Sequence, residues 1–184
     1  MKFTETNLKG CYVIELDRYS DQRGWFSRTF CSNEFLEIGF TSAWVQHNHS
    51  FTRTRGTVRG MHYQKIPACE TKLIRCIAGS VFDVAVDLRP HSPTFLKWHA
   101  EELTKDNLKM IFIPEGFAHG FQTLTEDAEL VYCHSSAYQP EYEAGLNCLD
   151  KILNISWPLE ITEISDRDKQ HPFINSNFEG VNIK

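Results

Sequence analysis

The stretch "VFDVAVDL" (81–88) alternates without a break, and that alternation decides the fold class. A β-strand sends successive side chains to opposite faces, so Phe82, Val84, Val86 and Leu88 share one side. Val81, Asp83, Ala85 and Asp87 share the other. Two carboxylates beside valine and alanine are odd for a dry interior. Burying an unpaired carboxylate is costly, so cations or water must lie opposite Asp83 and Asp87. A ligand cavity open at one end of a sandwich meets that requirement. Plain exposure of the face meets it equally.

Similar short runs surround this one. "CYVIEL" (11–16), "GTVRGMHYQ" (56–64), "KLIRCIA" (72–78), "KMIFIP" (109–114) and "ELVYCH" (129–134) are β-branched or aromatic, and turn-formers separate them. The spacing predicts an all-β chain folded as an antiparallel sandwich or barrel. One early helix is expected, with Ser32 capping "NEFLEI" and Gly39 ending it. No linker, repeat or low-complexity segment interrupts the chain, which reads as a single domain over residues 1–184. The pattern assigns no element to roughly the last thirty residues.

Composition narrows the function classes. The chain has 184 residues, 41% of them hydrophobic and 23% charged, enough for one domain with a sizeable core. No apolar run approaches the roughly 18 residues of a membrane span. The opening "MKFTETNLKG" lacks the apolar stretch of a signal peptide, so a cytoplasmic location is expected. Six scattered cysteines without a C-x-x-C motif read as reduced thiols. The net charge is −5 and no basic stripe is present, which argues against a nucleic-acid surface. An anionic ligand must instead meet a local cluster such as Arg53, Arg55, Arg59, Lys65, Lys72 and Arg75, unless that cluster is only a solvated edge.

Glycine-rich dinucleotide and P-loop motifs and the G-x-S-x-G elbow are missing from the sequence. Two chemistries fit what remains. His47 and His49, joined by His62 and His119, could converge on a divalent cation. Against this, "QHNHS" runs into polar residues that look like a loop, and no nearby glutamate completes the set. The other chemistry is proton transfer without a metal. An imidazole, with an ordinary pKa of about 6.5, can serve as a base at neutral pH. His62 would need an orienting carboxylate from Asp83, Asp87 or the acids of "ISDRDKQHP" (164–172). A neighbouring lysine or arginine could stabilise an oxyanion, and Tyr132 on another strand could return a proton from the opposite side.

Seven segments, in order, carry a further signal: "DQRGWFSRTF" (21–30), "QHNHS" (46–50), "GTVRGMHYQ" (56–64), "TKLIRCIAGSVFDVAVDLRPHSPTF" (71–95), "IPEGFAHGF" (113–121), "YCHSSAYQPEYEAG" (132–145) and "ISDRD" (164–168). Together they resemble the dTDP-4-dehydrorhamnose 3,5-epimerase family, the RmlC-like epimerases. The resemblance implies a cupin-like antiparallel β-barrel (jelly roll) with a few short helices. It also implies a homodimer that needs no metal or organic cofactor and acts on a nucleotide-linked 4-keto-6-deoxyhexose. The leading expectation is conversion of dTDP-4-dehydro-6-deoxy-D-glucose to dTDP-4-dehydro-L-rhamnose by inversion at C3 and C5, a step in dTDP-rhamnose formation.

Matched position by position, His62 takes the place of the base and Asp168 that of its carboxylate partner. Lys72 falls where charge on the C4 oxygen is neutralised, and Tyr132 where the general acid stands. Arg59 matches a diphosphate contact. Arg23, Phe26, Gln46, Asn48 and Glu143 match nucleotide-sugar contacts, Arg167 a further phosphate contact, and Tyr138 a ring that stacks on the base. His119 maps to the pocket, where hydrogen bonding to Asp83 is an equal reading. Asp87 reads as a turn or barrel salt bridge. Simple alternation would put Arg59 and His62 on opposite faces, so a bulge at Gly60 is expected to bring both inward.

Three positions depart from the family pattern. Arg28 stands where glutamate is frequent, near the nucleotide end, and Cys148 and Lys151 stand where tryptophan and proline are usual. These departures leave room for an epimerase that inverts C3 or C5 alone on another dTDP-, CDP- or GDP-linked sugar. A barrel that only binds a sugar nucleotide is the reading from a different class, though binding alone needs no opposed acid and base.

Overall fold

A computed structural model describes residues 1–183. In chain order its strands begin with β1 (Lys2–Glu5), β2 (Tyr12–Glu15), β3 (Tyr19–Asp21), β4 (Gly24–Phe26), β5 (Gln46–Thr52), β6 (Thr57–Gln64) and β7 (Lys72–Ala78). They continue with β8 (Ser80–Asp87), β9 (Trp98–Thr104), β10 (Lys109–Ile113), β11 (Phe117–Thr123), β12 (Ala128–His134), β13 (Glu143–Gly145) and β14 (Glu163–Ile164). Two one-turn helices, α1 (Ser32–Phe35) and α2 (Asp166–Lys169), complete the regular elements with two short 3₁₀ turns.

Two antiparallel sheets face each other as a cupin-like jelly roll. One runs β1-β2-β10-β7-β12-β5 and the other β13-β6-β11-β8-β9, with β14 added in parallel to β6. β3 and β4 pair only with each other. The space between the sheets is filled by Ile74, Cys76, Ile111 and Leu130 from the first and Val81, Ala85, Leu103 and Phe121 from the second. The outer face of β8 is apolar too: Val84 and Val86, with Leu88 just past the strand, pack beneath C-terminal residues including Leu146, Leu153 and Val181. Cys148 is buried in this layer, where its carbonyl accepts the Trp157 indole N–H at 2.9 Å. Among the described residues no helix is long and apolar enough to cross a membrane.

The early helix starts one residue sooner than its sequence suggests. Cys31 occupies the N-cap and Ser32 is already helical, so the serine hydroxyl does not cap. Gly39 does end the segment, in the left-handed conformation at φ +78° that glycine adopts without penalty. Strands β5 and β11 are interrupted by polar residues and glycine, and "QHNHS" lies in a strand rather than a loop.

The feature that positions the site is a β-bulge in β6. His62 pairs with His119 and Arg59 with Phe121, so three steps along β6 match two along β11. The extra residue reverses the pleat once and turns both Arg59 and His62 toward the same cavity, as expected from Gly60. Gly60 has φ +127°, and a Cβ there would sit 2.6 Å from the Gly120 Cα; a Cβ on Gly120 would sit 2.8 Å from the Arg59 carbonyl. Gly60→Ala should therefore lower the unfolding free energy by roughly 2–4 kcal/mol, combining left-handed strain with overpacking. Gly39→Ala, with nothing within 4 Å, should cost about 1–2 kcal/mol. Urea denaturation checks the difference, and equal costs would remove the steric account of the bulge.

Candidate active site

The bulge delivers His62 to Asp168. Ser165 caps α2 by accepting the Asp168 N–H at 3.1 Å, which anchors the start of that turn and presents the carboxylate to β6. Asp168 Oδ1 lies 2.8 Å from His62 Nε2, and Oδ2 accepts the Gly60 N–H at 3.1 Å. Burial pushes the Asp168 carboxyl up, but the hydrogen bond and charge of His62 and the Gly60 N–H outweigh it and hold it down to about 2. The carboxylate therefore accepts the Nε2 proton of His62 and leaves Nδ1 with the free lone pair.

The cavity beside His62 has a volume of about 270 Å³ and lies between the sheets. Lys72 and Tyr132 enter it from the first sheet, facing His62 and His119 from the second. Lys72 is buried; its ammonium pairs with Glu70 at 3.1 Å and donates to the His62 carbonyl at 3.4 Å. The Tyr132 hydroxyl is 2.9 Å from Ser50 Oγ, and its ring centroid lies 6.1 Å from those of both His119 and His134. Burial pushes the phenol above its ordinary value, so it keeps its proton at neutral pH. His119 Nε2 sits 2.9 Å from the buried Asp83 carboxylate, which settles what lies opposite that strand position.

At the mouth, Arg59, His62 and Arg167 also line an adjoining groove of about 700 Å³. Arg167 pairs with Glu143 at 3.1 Å, and Glu143 accepts the Tyr138 hydroxyl at 2.8 Å. Gln46 and Asn48 bond to each other on β5, and Gln46 accepts the Tyr138 N–H. Cavity and groove together suit a ligand with a polar head and an anionic tail.

Other positions stand apart. Arg23 pairs with Asp21 at 2.6 Å on the β3–β4 hairpin, where Phe26 is 67% exposed. Arg28 pairs with Glu34 and lines a separate pocket near Met1. None of these three lines the cavity or groove described above. Asp87 accepts from Arg89, Ser92 and Thr94 in the turn after β8, the salt bridge expected of it.

His47 and His49 do not join His62 and His119. His49 pairs instead with Glu129 at 2.6 Å on the exposed side of β5. Among the described residues, the group close enough to share an ion is His62, Asp168 and His171, with donor atoms within 4.8 Å of one another. An ion there would compete with the His62–Asp168 hydrogen bond and meet the Arg167 guanidinium 3.6 Å from Asp168 Oδ1. The trio fits a paired base better than a metal. Sequence reasoning missed His171, along with Glu70, Ser50 and His134. The polar alternation Gln46, Asn48, Ser50 was the available signal for Ser50, while Glu70 precedes a strand in what reads as a turn.

A jelly-roll barrel that holds a carboxylate-paired imidazole on one sheet, facing a protonated phenol and an ammonium on the other, has the parts of an acid–base enzyme of the cupin class. This chain is a member of the dTDP-4-dehydrorhamnose 3,5-epimerase family, carbohydrate isomerases whose family model matches residues 5–176. It is 42% identical to the dTDP-4-dehydrorhamnose 3,5-epimerase of Shigella flexneri, across 91% of this chain and 93% of that one. The Bacillus anthracis enzyme of the same name, solved with TDP and PPi bound, superposes with a TM-score of 0.91 at 37% identity, covering 94% of this chain and 99% of that one. The Legionella pneumophila epimerase in complex with dTDP-4-keto-L-rhamnose superposes with a TM-score of 0.89 at 38% identity, covering 94% and 92%.

Because the Asp168 carboxyl is depressed in the fold, its stabilising contribution is fully present above the ordinary carboxylate value. It is lost as the pH falls through about 2. Denaturant titrations should show the wild type losing stability between about pH 5 and pH 2 more steeply than Asp168→Asn. Parallel pH profiles would contradict the pairing.

Proposed function

We propose that this chain interconverts dTDP-4-dehydro-6-deoxy-D-glucose and dTDP-4-dehydro-L-rhamnose by inverting C3 and C5 beside the ketone. The observation that carries the reading is the opposition of His62 with Asp168 on one wall to a protonated Tyr132 on the facing wall, with Lys72 lining the same cavity. His62 Nδ1 takes the proton from the carbon next to the carbonyl. The electron pair moves onto the C4 oxygen, which the Lys72 ammonium stabilises. Tyr132 then gives its hydroxyl proton to the opposite face of the carbon, and the carbonyl re-forms. The phenolate regains a proton and the imidazolium loses one by exchange with solvent, so no oxidant or second substrate is required. Arg59 and Arg167, which line the groove at the mouth, support a diphosphate there, and the ligands in the Bacillus and Legionella structures support a thymidine nucleotide.

Homodimerisation is part of the same proposal. Tyr19, Trp25 and Phe26 are exposed on a hairpin that pairs with neither sheet. If Arg23 and Phe26 contact a nucleotide, as their resemblance implies, that nucleotide is in a second copy's cavity. Six unpaired cysteines support a reducing, cytoplasmic setting.

Incubation with dTDP-4-keto-6-deoxyglucose in D2O, followed by NMR, should show deuterium at both C3 and C5. Incorporation at one carbon only would replace the double epimerase with a single-centre enzyme, and none at either would end the reading. His62→Ala and Asp168→Asn should lower turnover by roughly 10²–10⁴-fold while dTDP still binds. Tyr132→Phe should slow inversion at C5 yet permit exchange there. Activity should survive chelator treatment; its loss, with recovery on adding a metal, would reinstate the ion at His62, Asp168 and His171. Light scattering should give twice the chain mass.

A further inference from the structure

We propose that Glu70 and His134 are positioning residues: they hold Lys72 in register with the reacting carbonyl and link it to the nucleotide end of the cavity. The inference rests on the epimerase reading above and deepens it. Its basis is a run of hydrogen bonds in which every donor and acceptor is used consistently. The Tyr138 N–H donates to Gln46 Oε1 at 2.9 Å, and Gln46 Nε2 donates to Asn48 Oδ1 at 3.2 Å. Asn48 Nδ2 lies 3.3 Å from His134 Nε2, and His134 Nδ1 lies 2.8 Å from Glu70 Oε2. The other oxygen of Glu70 meets the Lys72 ammonium at 3.1 Å. A neutral imidazole that accepts at Nε2 and donates at Nδ1 satisfies both neighbours at once.

Sheet register makes the run possible. Gln46, His134 and Lys72 stand abreast on β5, β12 and β7, as cross-strand partners in one row. Lys72 has three N–H groups on a flexible stem. One goes to Glu70 and one to the His62 carbonyl, so one remains for a ligand oxygen. Fixing two donors aims the third. Burial pushes the Glu70 carboxyl up, but Lys72 and then His134 bring it down to about 2, so the anchor stays ionised. His134 also stacks on Tyr132, with interplanar angle 23°, so the same side chain borders the acid. At the far end, Gln46, Asn48 and Tyr138 are the residues whose resemblance assigns them to the nucleotide.

The test uses the full chain and reads turnover, deuterium exchange and dTDP affinity. Glu70→Gln is isosteric and removes the charge; His134→Ala breaks the run in its middle. Each should lower kcat by about tenfold to 10²-fold, as expected for a displaced polarising group, with dTDP affinity changed less than about threefold. In a Lys72→Met background Glu70→Gln should not change the residual exchange rate by more than about twofold, because Glu70 acts through the lysine. A merely structural role would lower rates equally in both backgrounds, and that result would overturn the inference, as would wild-type kcat in either variant. Should His134→Ala fail to bind dTDP, Glu70→Gln alone decides the outcome. Wild-type protein that incorporates no deuterium would overturn the epimerase reading and this inference with it. An active wild type with additive variants would overturn this inference alone.

Discussion

The backbones of Gly60 and Gly120 approach so closely that a Cβ on either would meet main-chain atoms of the other strand at 2.6–2.8 Å. The placement of Arg59 and His62 follows from that contact. It admits the extra residue in β6, and the extra residue turns Arg59 and His62 to one side. The same bulge aims the Gly60 N–H at Asp168, so the carboxylate that holds His62 is itself held by the distortion that presents His62. Met61 locks the arrangement from behind, fully buried in the layer beneath the C-terminal segment. Packing on the outer face of the sheet thus sets chemistry on its inner face.

Along the barrel axis the interior grades from apolar to polar, and cross-strand register sets the gradient. Leu130 pairs with Cys76, Tyr132 with Ile74, and His134 with Lys72. On the other side of β12, the partners of the same three residues are Ser50, Asn48 and Gln46. Three neighbouring strands therefore change character together, two residues at a time. The hydrophobic end stabilises the barrel by removing apolar area from water. The polar end is tolerable because its charges are paired: Asp168 with His62, Asp83 with His119, Glu70 with His134 and Lys72.

That gradient also explains what was legible in the sequence. Strands lined on both faces by apolar groups, such as β10, declare themselves through β-branched residues. β5 and β11 line the cavity and carry histidine, asparagine, serine and glycine, so their strand character is masked by what they do. The two-carboxylate face of β8 was legible as a requirement for partners, and both partners exist, but alternation could not say that Asp83 meets an imidazole while Asp87 meets a turn arginine. The choice of Asp168 among the acids of "ISDRDKQHP" came from resemblance, because a one-turn helix capped by Ser165 has no periodicity to read. Glu70 and His134 escaped notice for a related reason. They are 64 residues apart, and only the pairing of β7 with β12 brings them together.

A base, an acid and a cation in one small cavity must be kept from neutralising one another, and the fold does this by allotting each carboxylate in advance. In the proposed mechanism the base on one sheet removes a proton and the acid on the other supplies a different one to the opposite face of the ligand's carbon. The lysine keeps a carboxylate partner but has an N–H to spare. Arg59 differs from all of these: its guanidinium donates to the Phe51 carbonyl, and among the described residues no carboxylate pairs with it. In a chain of net charge −5, an uncommitted arginine at the mouth of a cavity whose other charges are matched leaves a local positive field where long-range attraction is absent. Anion selection must then be short-ranged. The ligand has to carry its negative charge at a fixed distance from the group that reacts, and a diphosphate joined directly to a sugar meets that condition whereas a free anion does not.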